Sequence, residues 1–487
     1  MKKVLYLIII VFIATVTGCT DKFEDFNTDK KHPAVVPGES LFSNAQKELA
    51  DYTNNTNVNI NIFKLMSQYW TETTYIDEAN YDLITRNIST GIYTRMYLRV
   101  LTDLKEASRI IGETTVIAAE ADAKQNKLQI IELMNVYIYS HLVDVFGAVP
   151  YKDALDIENV YPKYDGGSDI YKDLFTRLDA ALSKLKASAG SYGSADLYYE
   201  GNVASWIKFG NSLKVRMAIT IADADNATAK SAIEAAASKI FTSNDDDCLF
   251  HYLTSSPNYN QLYADLVASG RHDFVPANTI IDKMNTLADP RMDAYFASKL
   301  DTSTVEGVEK LAYVGGEYGY SNSFGQCSHI SDAVQAPDFA GIMLTYSEVC
   351  FYMAEAAARG YNVGGTAEAW YNKGITASFD FWGVSGVSAY LAKPSVAYTT
   401  ATGTWKQKIA EQSWIASYTR GIEGYTTWRR LDFPILNLPE DATKYSDIPV
   451  RFTFPVNEQT LNEANYKAAS AAIGGDLITT KIFWDKF

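Results

Sequence analysis

Cysteine and histidine are both scarce. Of four cysteines in 487 residues, Cys248, Cys327 and Cys350 follow the first forty positions, an odd number without CxxC spacing. That excludes a disulfide framework and a cysteine-based zinc site. The five histidines, His32, His141, His251, His272 and His329, show no ligand spacing, so each is expected to be structural. Positive charge is also short. Lys and Arg total 43 against 58 Asp and Glu, a formal charge of −15, and such a surface repels phosphate backbones, so nucleic acid is not an expected partner. No GxSxG elbow, GxxxxGK[ST] loop, strand-borne GxGxxG or HExxH occurs. The common hydrolase, nucleotide and zinc-protease signatures are thus missing, and no catalytic residue, cofactor or metal is assigned. A carboxylate pair for glycoside hydrolysis can be drawn from any chain this acidic, so composition decides nothing there.

What is present is the material of a folded globular chain: 47% hydrophobic, 21% charged and 13% aromatic residues. A chain this long buries a sufficient core without disulfides or metals. Tyr (33) outnumbers Phe (22). A ring with a hydroxyl suits a surface both apolar and wet, which hints at exposed stacking platforms, although packing in a helical core is the commoner use.

The first residues address the compartment. Lys2 and Lys3 precede an apolar run from Val4 to Val16, too short for a permanent membrane span and right for a secretory signal. Small residues then lead to Cys19, as in Val16 to Cys19 (VTGC), which resembles a bacterial lipobox. Residues 1–18 read as a lipoprotein signal peptide and Cys19 as its lipidation site, because several acyl chains anchor a protein far better than one. Residues 19–40 read as a tether: His32-Pro33 and Pro37-Gly38 interrupt it, and no helical period runs through it. Its acidic start, Thr20 to Asn27, resembles the surface-export signal of Bacteroidetes lipoproteins.

From Leu41 to Phe487 a single, mainly α domain is expected. Trp206, Gly210, Leu213, Met217 and Ile221 build one apolar stripe over Val203 to Ala222. The stretch Gln129 to Phe146 is apolar on several sides and stops at Gly147 before Pro150, which predicts a buried helix. Tyr346 to Arg359, ended by Gly360, and a second helix capped by Thr366 and running to Phe379 predict a tetratricopeptide-type hairpin. Its small residues Ala354, Ala357, Ala367, Gly374 and Ala377 permit a close approach. Ser89 to Phe146 and Asp169 to Ala222 are further candidate hairpins, although no clean 34-residue repeat is visible. Residues 245–338 form a loop-rich insertion, and loops on a rigid scaffold commonly carry function.

Two constellations in the sequence mix aromatic rings with amides and acids. The first is Tyr69 and Trp70 with Tyr75, Asp77, Asn80 and Tyr81; the second is Tyr318, Tyr320, Asn322 and Phe324. Sugars need this mixture, since their C–H faces stack on rings while their hydroxyls seek amides and acids. Peptides use similar groups, and core packing accounts equally well for Tyr69 and Trp70. Two other features are read as structural. Asn244 to Asp247 lacks the calcium-loop pattern and reads as a solvated acidic loop. Arg420, Glu423, Trp428, Arg429 and Arg430 read as a buried helix whose arginines satisfy neighbouring carbonyls and acids, in preference to an anion clamp.

Several ordered stretches together resemble one family. They are the lipobox, Asp25 to Asp29 (DFNTD) with Pro33, Asp144 to Tyr151 (DVFGAVPY), Trp206 to Arg216 (WIKFGNSLKVR), Asp289 to Arg291 (DPR), Leu344 to Val349 (LTYSEV), Ala354 to Gly360 (AEAAARG), Trp428 to Arg430 (WRR) and Asn462 to Tyr466 (NEANY). This pattern resembles the SusD/RagB family, most closely its second SusD-like branch, over essentially the whole mature chain. The resemblance implies a non-enzymatic, surface-exposed lipoprotein of the Bacteroidetes outer membrane. It also implies four tetratricopeptide-type units as scaffold, with a more irregular part carrying the ligand site. As partner it implies a SusC-type TonB-dependent transporter, and as cargo an oligosaccharide or, in some members, a peptide. Tyr75, Asp77, Asn80 and Tyr81 are placed on a wall of the site because they are expected to follow the first helix.

Overall fold

A computed structural model describes residues 36–301, 310–440 and 448–487. Cys19 and the tether up to residue 35 lie outside the described residues. Among those described, twelve helices have ten residues or more: α1 (Gly38–Asn54), α2 (Thr102–Glu113), α3 (Ala121–Phe146), α4 (Gly167–Lys184), α5 (Val203–Thr220), α6 (Asn226–Ala236), α7 (Asn278–Leu287), α8 (Tyr346–Ala358), α9 (Ala367–Phe381), α10 (Trp405–Ala416), α11 (Gly421–Leu431) and α12 (Glu463–Ala472). Sheet is confined to two-stranded ribbons. The mainly α expectation therefore holds.

The helices pack in pairs: α1 with α2, α3 with α4, α5 with α6, α8 with α9, and α10 with α11. The α8–α9 pair is the hairpin read from the sequence. Thr366 accepts from Ala369 N as its N-cap, and Arg359 Nε donates to Glu355 Oε1 at 3.0 Å. A Cβ on Gly374 would lie 2.9 Å from the Phe351 ring, so only glycine permits this approach. The α5 stripe is buried along its length. Helix α3 ends at Gly147, whose φ of +81° favours glycine.

Where α3, α4, α5, α8 and α11 meet, the core is ionic as well as apolar. Arg216 reaches Asp144 at 3.1 Å and Glu423 at 3.3 Å. Tyr171 and the Trp484 indole donate to Asp144 at 2.5 and 3.0 Å. Arg420 pairs with Glu348 and donates to Met343 O at 3.0 Å. Burial alone would raise the Glu423 pKa, but the Arg216 charge and the His141 hydrogen bond hold it well below the usual carboxylate range. Arg430 pairs with Glu355 at 3.0 Å, and Arg429 donates to the carbonyls of Asp144 and Val450. The arginines of this segment thus belong to a buried helix, as its sequence suggested.

Two local expectations are corrected. Tyr75, Asp77, Asn80 and Tyr81 do not directly follow the first helix, which ends at Asn54; a short helix over Phe63–Met66 and a strand over Trp70–Glu72 intervene. The loop from Asn244 is not solvated throughout: Asp246 pairs with Lys208, and buried Asp247 accepts from Tyr346 N. Burial pushes the Asp247 carboxyl up to about 7. Residues 245–338 carry, among their loops, the regular helix α7, whose Ile280, Ile281 and Met284 bury one face.

Candidate functional site

The site is built on a short ribbon. Strand β1 (Trp70–Glu72) pairs antiparallel with a strand over Phe274–Pro276, placing Trp70 opposite Pro276 and Glu72 opposite Phe274. Both strands are mostly buried, so their β-branched and aromatic residues face packing on either side. A strap from Gly315 to Phe324 lies along this ribbon. Gly316 exchanges backbone bonds with Pro276 and Asn278, and Gly319 N donates to Thr71 Oγ1 at 3.1 Å. Asn322 N donates to Thr73 O at 3.1 Å, and its amide donates to Glu72 O at 3.1 Å. From the other side, Asn80 Nδ2 donates to Gly319 O at 2.7 Å. The two aromatic constellations, about 240 residues apart in sequence, thus form one structure.

Their members take different places in it. Trp70 (1% exposed), Tyr81 and Tyr318 are buried. The Trp70 indole donates to Tyr418 Oη at 3.0 Å, and the Tyr81 and Tyr318 rings pack with centroids 6.3 Å apart. These three support the site from within, and Asn80 and Asn322 fasten strap to ribbon. Tyr75 is 61% exposed, and Asp77 is exposed beside it. Tyr320 and Phe324 are half-buried. Phe324 lies between His272 and His329, with centroids 4.3 and 3.9 Å away and both pairs stacked.

Beside the ribbon opens a cleft of about 290 Å³. Of the residues singled out from sequence, Tyr75 alone lines it; the rest of the wall was missed. Glu72, Glu78 and Phe274 line it together with Asn57, Asn59, Arg86, Asp265, Arg271 and Asp273. The acids are unequally matched. Arg86 pairs with Glu78, and Arg271 with Asp273. Asp265 Oδ2 accepts from Thr56 N and Oγ1 at 2.9 and 3.2 Å. Glu72 accepts from Ala79 N at 3.0 Å, and burial together with the Glu78 charge pushes its carboxyl up to about 9. At neutral pH Glu72 is therefore a neutral acid, able to donate as well as accept. No sequence signal marks residues 265–274 beyond their place in the loop-rich stretch.

A scaffold of helical hairpins bearing a surface cleft on an irregular ribbon defines a class of binding protein. A family model described as SusD-like, starch-binding and associating with the outer membrane, matches residues 29–455. The chain belongs to this SusD-like family. Among solved structures, a chitin-binding protein superposes with a TM-score of 0.80 at 27% identity, covering 92% of this chain and 100% of that one. A SusD homologue from Bacteroides uniformis gives 0.78 at 25% identity, covering 92% and 99%. A chitin-binding SusD homologue from Flavobacterium johnsoniae, at 23% identity and TM-score 0.75 over 92% and 97%, shares the fold. No curated protein matches the chain. Among the described residues no helix is long and apolar enough to cross a membrane.

Proposed function

We propose that this chain is a surface lipoprotein, anchored through Cys19 to the outer membrane, that captures oligosaccharides and delivers them to a SusC-type TonB-dependent transporter. It binds its cargo without chemical change. The observation that carries the reading is the cleft itself, which the exposed Tyr75 lines together with Asn57, Asn59, Glu72 and Asp265. A ring face and converging hydrogen-bonding groups are what a sugar requires. Family membership and the chitin-binding relative support the same cargo class. Stacking and hydroxyl hydrogen bonds largely replace contacts with water, so each sugar adds little affinity and release stays fast.

The test is a glycan array and peptide-pool screen on a soluble chain starting after Cys19, followed by calorimetry on hits and chromatography of the incubated ligand. Saturable glycan binding without products is expected. Binding of peptides alone would reassign the cargo, and product formation would overturn the binding-only role. Co-purification of the full-length chain with a transporter of the stated class tests the partner; a chain that always purifies alone from native membranes counts against it.

A further inference from the structure

A second cleft, of about 480 Å³, lies on the helical scaffold and shares no lining residue with the one beside the ribbon. Its size is in the range usual for ligand sites. It is lined by the loop over residues 242–245, by the half-buried Tyr346 at the start of α8 and by one face of α9. The loop is pinned in place. Asp246 accepts from Thr242 N and Oγ1 at 2.7 and 2.8 Å and pairs with Lys208 at 2.7 Å. Asp247 Oδ1 accepts from Tyr346 N at 2.6 Å, and Asn244 Nδ2 donates to Ala377 O at 2.9 Å, so the loop is fastened to both helices of the hairpin. The lining side chains of α9 are left free. Asn372, Thr376 and Asp380, spaced four apart on one helix face, make no side-chain hydrogen bond or ion pair among the described residues. Lys373 has no ion-pair partner there either; its Nζ lies 4.2 Å from the Trp370 ring centre. A fixed loop facing unused donors and acceptors is the form of a preorganised polar site.

Resting on the glycan-binding reading above, we infer that this cleft is a second glycan site, which takes a neutral oligosaccharide independently of the ribbon cleft. The chemistry is the same in kind. Tyr346 supplies a ring for the C–H face of a sugar, and the α9 side chains supply partners for its hydroxyls. Asn372 offers a donor and an acceptor, Thr376 can act as either, Lys373 donates and Asp380 accepts, which is the mixture that a run of hydroxyls satisfies. The charges nearly balance. One cation, Lys373, and two acids, Asp245 and Asp380, line the cleft, and that favours a neutral ligand over a strongly charged one. Two sites on one chain hold a polymer twice, so a segment released from one cleft stays near the protein while the other remains bound.

The experiment uses the full mature chain in detergent with trimers of N-acetylglucosamine, glucose and mannose. Equilibrium dialysis counts the bound trimer, and hydrogen exchange locates it. The tightest-binding trimer is expected to saturate at about two equivalents per chain and to slow exchange over residues 242–246 as well as around Tyr75. Asn372→Ala combined with Thr376→Ala should weaken one equivalent about ten-fold and remove the protection at residues 242–246, and Tyr75→Ala should weaken the other. Alanine suits a helix, so the double variant is expected to fold, and exchange in the natural chain tests the site without it. A single equivalent that Tyr75→Ala abolishes, with residues 242–246 unprotected, overturns this inference and leaves the glycan reading intact. So does a double variant that still binds both equivalents unchanged. No trimer bound at either cleft overturns both.

Discussion

The ionic core between the helices and the acidic cleft beside the ribbon use the same side chains to opposite ends. In the core, Asp144, Glu348 and Glu423 are met by Arg216 and Arg420, and Tyr171 and Trp484 complete the hydrogen bonds. In the cleft, Arg86 meets Glu78, Arg271 meets Asp273 and the buried Lys64 charge acts on Asp265, while Glu72 is left to hold a proton. Compensation makes the first region a rigid scaffold. Incomplete compensation at Glu72 leaves the second with a carboxyl held far from its ordinary pKa, and functional sites commonly retain such groups.

The comparison predicts that the core breaks more expensively than the cleft. Arg216→Met leaves Asp144 and Glu423 buried with fewer cations, and a loss of about 3–5 kcal/mol is expected in denaturant unfolding. A loss under about 1 kcal/mol would mean the core charges are not coupled as described. Next comes the joint between the regions. Asn80→Ala removes the bonds to Ile76 O and Gly319 O, at an expected cost of about 1–3 kcal/mol. Hydrogen exchange should then quicken in the strap around Gly319, whereas an unchanged strap would show that other bonds hold it.

The third effect depends on pH. Burial and the Glu78 charge raise the Glu72 carboxyl to about 9 in the folded protein, against about 4.5 in the unfolded chain. Its value is raised, so its contribution is fully present below about 4.5 and is lost as pH rises towards about 9. Glu72→Gln should therefore flatten the decline in stability across that window. A variant whose stability falls with pH as steeply as the natural chain places the titration elsewhere. The smallest effect on stability belongs to Tyr75→Ala. With a ring 61% exposed, its unfolding should shift by no more than about 0.5 kcal/mol, while glycan affinity drops about ten-fold. Unchanged affinity would move the platform to Tyr320 or Phe324.

The scaffold was more legible than the site for reasons visible in particular residues. The Trp206 to Ile221 stripe, the Gly147 stop and the Thr366 cap act within one helix or its ends, so their spacing carries the information. Gly374 was recognisable as a close-contact residue, although its partner Phe351 became known only from the packed pair. In the site, Tyr75 was found because the sequence sets it among amides and acids, a signal it shares with the buried Trp70 and Tyr81. Asp265, Arg271 and Asp273 were not, because nothing near them in sequence shows that they line one cleft with Glu72.

The sequence by itself determined the helical class, the hairpin at residues 346–379, the buried arginine helix and the family resemblance. These follow from periodicity, capping and ordered motifs, which act over a few turns of chain. Only the tertiary structure decided that Asn80 and Asn322 clamp two distant segments, that Trp70, Tyr81 and Tyr318 lie inside, and that Glu72 remains protonated. Burial and charge balance are set by what the fold brings within a few ångströms, and residues some two hundred positions apart meet there without leaving a local trace.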